Sequence, residues 1–182
     1  RVRGNKVAMR EKDLGIWQSW TWQEVADEVR ALACGLAAMG FKRGDKLAII
    51  GDNRPRLYWG FAAAQCLGGI PVPLYQDSVA EEMAYVLDDA EVHFALVEDQ
   101  EQTDKMLEVK EQYPVLRGVV YEDPRGLRDY DKNFCTYIEI LQEKGREFLA
   151  KNPDFLEQEI AKGQSDDISV ILYTSGTTGK PK

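Results

Sequence analysis

Apolar residues along this chain follow two different spacings. In some stretches they recur every three or four residues, which predicts amphipathic helices, and in others they alternate or run on without interruption, which predicts strands. Helices are expected at 21–40, about 53–67, from 78 onward, about 100–113, 136–150 and 152–162, and strands at 46–50, 70–74, 92–97, 115–121 and 168–173. Because strands and helices alternate and the connections are long enough to cross over, we predict an α/β fold with a mostly parallel sheet flanked by helices.

Local signals indicate where the helices begin and end. A Ser or Thr followed three residues later by Glu is a capping box, in which each side chain bonds to the backbone N–H of the other residue. Such pairs are expected to open three helices: Thr21 with Glu24, Ser78 with Glu81, and Thr136 with Glu139. Gly40 is expected to end the first helix as a left-handed cap. Residues 14–20 are predicted to be a short aromatic stretch before that helix, and residues 122–135, which are rich in charge, Pro and Gly, a loop.

The composition narrows the class of protein. Of 182 residues, 44% are hydrophobic and 30% are charged, which argues against disorder and against a coiled coil. The chain has 23 Lys and Arg against 31 Asp and Glu, so its net charge is −8. This acidic balance argues against a general nucleic-acid binder and against a polybasic membrane anchor, because both depend on Lys and Arg surfaces. We therefore predict no nucleic-acid partner.

The ends of the chain and its longest uncharged run bear on where the protein works. The chain begins at Arg1 and stops at Lys182 within a motif, so we expect a piece of a longer protein, truncated at both ends. Residues 1–15 hold no apolar run typical of a signal peptide. The longest uncharged run, 57–76, contains Gly and Pro breakers. It is therefore predicted to be a buried helix, a Gly-Gly turn and a short strand rather than a membrane span.

The cysteines and the histidine suggest neither a metal cluster nor a catalytic set. Cys34, Cys66 and Cys135 are odd in number and widely spaced, so buried free thiols in a reducing cytosol are expected. His93 is the only histidine, and it lies in an apolar strand with no nucleophile beside it. We therefore interpret His93 as structural.

The last ten residues carry most of the functional information. They read Tyr-Thr-Ser-Gly-Thr-Thr-Gly-Lys-Pro-Lys, from Tyr173 to Lys182, and follow an apolar run. Gly176 and Gly179 allow backbone N–H groups to turn inward as an anion nest, while Ser and Thr hydroxyls offer donors to phosphate and ligands to Mg²⁺. On composition alone, an ordinary flexible Ser/Gly loop is an equal alternative.

Two better-known phosphate loops are excluded. The Walker pattern needs Gly where Thr174 stands and Ser or Thr where Pro181 stands. The dinucleotide pattern G-x-G-x-x-G is absent, since the chain contains no Gly-x-Gly. The loop is therefore neither a P-loop of the kinase type nor a nicotinamide-binding turn.

This loop resembles the signature loop of the adenylate-forming enzymes, which include acyl-CoA synthetases, luciferases and peptide-synthetase adenylation domains. Other segments are similar to further parts of that family, namely residues 19–25, 51–55 with Trp59, and 64–74. Three segments resemble the long-chain fatty acyl branch of the family, as it occurs in bacteria: residues 73–78, 98–102 and 122–135. The resemblance spans almost the whole chain. It implies that residues 1–182 are the N-terminal part of the AMP-binding domain, within the large N-terminal domain of such an enzyme.

The resemblance implies a ligase reaction in two steps. The carboxylate of an acid attacks the α-phosphate of ATP to give acyl-AMP and pyrophosphate, and the CoA thiol then takes the acyl group. ATP, Mg²⁺ and CoA are therefore implied. By motif position, the loop 173–182 is expected to hold the leaving phosphates, with Thr174 nearest Mg²⁺ and Lys182 supporting the loop electrostatically. The implied phosphate contacts are Thr174, Ser175, Gly176, Thr177, Thr178 and Gly179.

The resemblance also implies what this piece lacks. In the family, the adenine and ribose contacts, the Glu that shares Mg²⁺, the acyl pocket and the catalytic Lys all lie beyond the position of Lys182. No catalytic residue is therefore expected within the chain, and the piece alone is predicted to be inactive.

For the whole protein, the predicted function is that of a long-chain fatty acid–CoA ligase, an enzyme of fatty acid metabolism. The predicted location is the cytoplasm, with any membrane contact peripheral and at the inner face. One alternative is an adenylate-forming ligase for an aryl, short-chain or amino acid. The other is a truncated, non-enzymatic α/β module that binds phosphate or a protein partner.

Overall fold

The structure is a computed structural model and describes residues 2–174. Strands and helices alternate along most of this range, as the apolar spacing predicts. In chain order the elements are β1 (Val7–Asp13), β2 (Ile16–Thr21), α1 (Trp22–Ala38), β3 (Lys46–Ile50), α2 (Pro55–Cys66), β4 (Ile70–Leu74), α3 (Ala80–Asp89), β5 (Val92–Val97), α4 (Gln100–Gln112), β6 (Gly118–Tyr121), β7 (Cys135–Tyr137), α5 (Ile138–Lys151) and α6 (Phe155–Ala161).

The central element is a five-stranded parallel sheet in the order β4-β3-β5-β6-β7. One apolar cluster packs α1, α2, α5 and α6 against one face, and a second packs α3 and α4 against the other. Strands buried on both sides explain the continuous apolar runs of β3 and β5. The predicted α/β fold, a mostly parallel sheet flanked by helices, is confirmed.

The order in which strands are added to the sheet changes side between β3 and β5. From β3 the chain moves outward through α2 to β4, and it then crosses back through α3 to β5. From β5 it moves the opposite way, through α4 to β6 and on to β7. The carboxyl ends of β3 and β5 therefore form a topological switch point, the place where open parallel sheets commonly bind ligands.

The N-terminal stretch differs from expectation. Residues 14–20 belong to an antiparallel hairpin of β1 and β2 rather than to an irregular aromatic stretch. The two residues at its turn, Leu14 and Gly15, both have positive φ, which suits a tight hairpin turn. Because Leu seldom adopts that conformation, this turn could not be predicted from the residue types. The hairpin packs against α2 through Trp20. Its ring contacts that of Trp59 edge-on, with 5.8 Å between the ring centroids.

Only the first of the three capping boxes forms. Glu24 N–H donates to Thr21 Oγ1 at 3.2 Å, and Thr21 N–H donates to Glu24 Oε2 at 2.7 Å. The boxes expected at Ser78 and Thr136 are wrong, because α3 and α5 begin two residues after them with no side-chain cap. Ser78 N–H bonds to Tyr75 in a turn instead. Thr136 instead pairs with β6 as part of β7. This strand was not predicted, and it begins at the last residue of the loop expected at 122–135.

The strand expected at 168–173 is also wrong. Within the described residues, this stretch runs beside β4 with one backbone bond to it, from Ile171 N–H to Pro71 O at 3.1 Å. Pro71 thus directs its carbonyl away from β3, and Pro73, two residues on, lies on the same outer edge. Neither proline has an N–H, so a regular ladder lacks its donors there.

Two glycines bring α1 and α5 into direct backbone contact. A Cβ on Gly145 would lie 1.8 Å from the backbone oxygen of Ala31, and a Cβ on Gly35 would lie 2.4 Å from that of Leu141. Both distances are far inside van der Waals contact. The close approach of the two helices therefore depends on these positions having no side chain.

The remaining expectations from the sequence concern the uncharged run, the thiols and the histidine. Residues 57–76 form most of α2, a turn with positive φ at Gly68, and β4, as predicted. None of the helices in residues 2–174 is long and apolar enough to cross a membrane. All three cysteines are free thiols; Cys34 and Cys135 are buried as expected, while Cys66 is only partly buried. Burial raises the pKa of each. His93 is half-buried in β5.

Candidate functional site

Thr174 is the one residue of the predicted phosphate site that the structure describes. Ser175, Gly176, Thr177, Thr178, Gly179 and Lys182 lie outside the described residues. The phosphate contacts expected at those positions stay predictions. What the structure adds is the way the chain reaches Thr174.

Residues 163–174, which we call the approach segment, are bonded to the sheet layer at residues 167, 169, 171 and 173. The bonds join it to the turn before β3, to α2, to β4 and to the end of α3. They are Arg43 Nη1 to Asp167 Oδ2 at 2.8 Å, Gln65 Nε2 to Ser169 O at 2.8 Å, Ile171 N–H to Pro71 O at 3.1 Å, and Tyr173 O–H to Asp89 Oδ2 at 2.5 Å. Alternate residues from 167 onward therefore anchor the segment, although it forms no strand.

Tyr173 is the last anchor before Thr174. Its ring packs against the apolar cluster beneath α3 and α4, and its hydroxyl donates to the Asp89 carboxylate. Burial, together with the bond to this carboxylate, raises the pKa of the Tyr173 hydroxyl well above its usual range. The phenol is thus held neutral, as a donor, across the range in which proteins are stable.

The magnesium contact expected at Thr174 needs oxygen ligands. A hydroxyl oxygen such as that of Thr174 is a hard ligand suited to Mg²⁺, which normally completes its shell with waters and substrate phosphates. Among residues 2–174 there is no group of three or more His, Cys, Asp or Glu that could hold a metal ion by itself. Thr174 fits a single ligand position, and the magnesium contact stays a prediction.

A second polar feature lies at the switch point, and the sequence did not indicate it. A cleft of about 440 Å³ opens at the carboxyl ends of β3, β5 and β6, between the sheet and the β1–β2 hairpin. Charged side chains dominate its lining: Glu11, Asp13, Arg54, Arg56, Glu98, Glu122, Asp123 and Arg125.

Arg54 ties the two walls of this cleft together. It contacts Glu11 of β1 at 2.7 Å and Glu98, which directly follows β5, at 2.8 Å. The two carboxylates raise the pKa of Arg54 further. Glu98 also accepts the backbone N–H of Asp52, and its side chain is only 12% exposed. Although Glu98 opens an acidic stretch of the sequence, its side chain is held in these contacts and is not a solvated surface group.

Glu122 has the most unusual environment in the cleft. It directly follows β6, its side chain is 16% exposed, and Arg56 Nε lies 4.0 Å from its carboxylate. Burial raises the pKa of Glu122 to about 7, although Arg56 opposes the shift. Arg56 instead pairs more closely with Glu139, at 2.7 Å. Glu122 can therefore take up or release a proton near neutral pH.

Glu98 and Glu122 share a sequence signal. Each is a carboxylate placed immediately after an apolar strand, and the carboxyl ends of parallel strands meet at one edge. The partners Arg54 and Arg56 carried no such signal, since they lie at the start of α2.

The parallel sheet and its flanking helices define an α/β domain, and known proteins share this fold. A crystal structure of the anthranilate CoA ligase AuaEII in complex with anthranoyl-AMP superposes with a TM-score of 0.79, at 23% identity, covering all of this chain and 31% of that one. The family model described as AMP-binding enzyme matches residues 1–182. The chain belongs to this family.

Among curated proteins, the chain is similar in sequence to long-chain-fatty-acid–CoA ligases. It is 31% identical over 182 residues to the long-chain-fatty-acid–CoA ligase ACSBG2 of Xenopus laevis, which covers 98% of this chain and 24% of that protein. It is also 31% identical over 170 residues to the long-chain-fatty-acid–CoA ligase FadD15 of Mycobacterium tuberculosis, covering 92% and 26%. The chain thus spans about a quarter of the length of the curated relatives it matches. The expected resemblance to the adenylate-forming enzymes of the fatty acyl branch is confirmed.

Proposed function

We propose that this chain is the N-terminal part of the AMP-binding domain of a long-chain fatty acid–CoA ligase. The observation that carries the proposal is its identity of about 31%, along nearly the whole chain, to ligases of that name. The reaction joins a fatty acid to CoA at the expense of ATP. A carboxylate oxygen of the acid bonds to the α-phosphorus as pyrophosphate leaves, and the CoA sulfur then bonds to the acyl carbon as AMP leaves.

Within this scheme the chain's own residues bind phosphate. The backbone N–H groups and hydroxyls from Thr174 to Gly179 hold the β- and γ-phosphates, and Lys182 adds positive charge. Donors fixed before the reaction stabilise the charge that develops on the leaving pyrophosphate. The hydroxyl of Thr174 offers one ligand to Mg²⁺, which when bound would neutralise phosphate charge. An ionised carboxylate needs no general base, so none of the residues in this chain is assigned a catalytic role.

A ligase for another acid is the second candidate, and one observation favours it. AuaEII, whose fold matches this chain, is named as a ligase of anthranilate, an aryl acid. The acyl pocket decides between the two substrates, and in this family it is built from residues beyond this chain. For a long-chain acid we propose a cytoplasmic enzyme that meets membranes only at their surface.

Carboxylate-dependent exchange of pyrophosphate into ATP by the full-length protein tests the proposal. Palmitate is expected to support exchange, while acetate, benzoate and amino acids support little. Thr174→Val should lower the exchange rate about tenfold through loss of one hydroxyl contact, and Thr174→Ser should retain it. Exchange with another acid alone would move the second candidate forward. No exchange with any acid would favour a module that only binds phosphate or a partner.

The 182-residue chain by itself is expected to show no exchange with any acid and to bind ATP weakly. It holds the donors for the leaving phosphates but, by the family's arrangement, neither the adenine contacts nor the catalytic Lys. The measurement is the same exchange assay on the isolated chain, with the full-length protein as positive control. A rate comparable to that of the full-length protein would contradict the assignment of the phosphate loop as only one part of the site.

A further inference from the structure

The end of α3 carries an acid that the helix itself does not explain. Asp88 and Asp89 form the last residues of α3, and no basic residue lies in its last turn. Carboxylates are disfavoured at a helix C-terminus, because the helix dipole places negative charge there. The Asp89 carboxylate accepts a hydrogen bond from the hydroxyl of Tyr173, 84 residues further along the chain.

Tyr173 is held at both ends of its side chain. The ring packs against the apolar cluster beneath α3 and α4, and the hydroxyl bonds to Asp89 at 2.5 Å. A tyrosine side chain has two rotatable bonds before its hydroxyl, so fixing the ring and the oxygen fixes the backbone at 173 as well. Thr174 is the next residue, and its Cα follows that of Tyr173 by about 3.8 Å.

The bond to Asp89 differs from the other anchors of the approach segment. Asp167 is fixed seven residues before Thr174, Ser169 five before and Ile171 three before. Of these four bonds, the Tyr173–Asp89 bond lies nearest to Thr174. A binding residue whose backbone is already fixed loses less conformational freedom when a ligand binds, so a fixed position for Thr174 lowers the cost of binding.

We propose that Asp89, acting through the hydroxyl of Tyr173, positions the start of the phosphate loop and thereby sets its affinity for the triphosphate of ATP. This inference rests on the proposed function. It assigns Asp89 as a positioning residue, since the carboxylate contacts the loop's support and not the nucleotide. The acceptor on α3 and the donor on Tyr173 work as a unit, so losing either one should have the same effect.

The test is steady-state kinetics of pyrophosphate exchange on the full-length protein with palmitate. Asp89→Ala and Tyr173→Phe are each expected to raise the KM for ATP about tenfold, the loss of one charge-assisted hydrogen bond. The maximal rate and the KM for palmitate should change less than about twofold, because the reacting groups stay in place. Combining the two substitutions should add nothing, since either one already breaks the bond.

Three variants separate positioning from general destabilisation. Asp89→Asn keeps an acceptor oxygen for the tyrosine hydroxyl and should restore the KM for ATP to near the wild-type value. Asp88→Ala removes a carboxylate from the same helix end and leaves the Tyr173–Asp89 bond intact, so it should behave as wild type. Tyr173→Phe keeps the ring in the core and should melt within a few degrees of wild type.

The outcomes separate this inference from the proposed function. A raised KM for ATP that Asp89→Asn restores supports the positioning role. An active wild type whose KM for ATP is unchanged by Asp89→Ala and by Tyr173→Phe overturns it and leaves the ligase function standing. The same holds if Asp88→Ala has an equal effect. A wild type without exchange on any acid overturns both.

Discussion

Gly145→Ala is expected to lower the free energy of unfolding of this chain by at least about 2 kcal/mol, a cost typical of overpacking. The added Cβ would lie 1.8 Å from the backbone oxygen of Ala31 and 2.6 Å from the backbone nitrogen of Gly35. Backbone atoms cannot rotate aside as a side-chain tip can, so α5 must move away from α1. Helix propensity alone would predict the opposite sign, because alanine favours a helix over glycine by about 1 kcal/mol.

Urea unfolding of the chain measures this effect. Lys144→Ala is the matched control, since it places the same residue on the exposed side of α5 one position earlier. Its free energy of unfolding should stay within about 0.5 kcal/mol of wild type, as for most surface substitutions. A stabilising Gly145→Ala would mean that α1 and α5 do not meet through their backbones.

Glu122→Gln is expected to make the chain more stable at pH 8 and to remove a fall in stability that the wild type shows between about pH 4.5 and pH 7. Burial raises the pKa of Glu122 from 4.5 to about 7 in the folded chain. Within that window the folded state holds a proton that the unfolded state has released. Stability therefore falls as the pH rises, by about 3 kcal/mol over the window.

The measurement is the free energy of unfolding from urea titrations at pH 5, 6, 7 and 8, for wild type and Glu122→Gln. Glu24→Gln provides a contrast of opposite sign. The capping bonds with Thr21 lower the pKa of Glu24, so its charged form stabilises the fold and its loss should reduce stability at pH 7. Parallel pH curves for wild type and Glu122→Gln would contradict the buried, proton-holding carboxyl.

The sequence predicted those parts of the fold that local patterns determine. α1 follows from its apolar spacing and from Thr21 and Glu24, three residues apart, while β3 and β5 follow from their apolar runs. The failures occurred where distant partners decide. Thr136 has the sequence of a helix cap, but pairing with β6 takes it into a strand. No spacing along the chain could show that pairing.

The same distinction applies to the candidate site. The sequence predicts a phosphate loop at 173–182, because phosphate recognition by backbone N–H groups needs a contiguous run of small residues. The contacts that anchor the approach segment and the cleft join residues far apart in the chain. Asp89 and Tyr173 are separated by 84 positions, and Arg54 and Glu98 by 44. Charged residues at such distances resemble ordinary surface residues until the fold brings them together.

The two prolines of β4 have a consequence for the chain while it is being synthesised. The outer edge of β4 presents the carbonyl oxygens of Pro71 and Pro73 and no N–H at those positions. Two copies of this edge that meet on neighbouring ribosomes would face each other with acceptors on both sides. They cannot form the ladder through which exposed strands seed aggregates. This edge can therefore stay exposed on a nascent chain, before the later segments are synthesised, without pairing with the same edge of another copy.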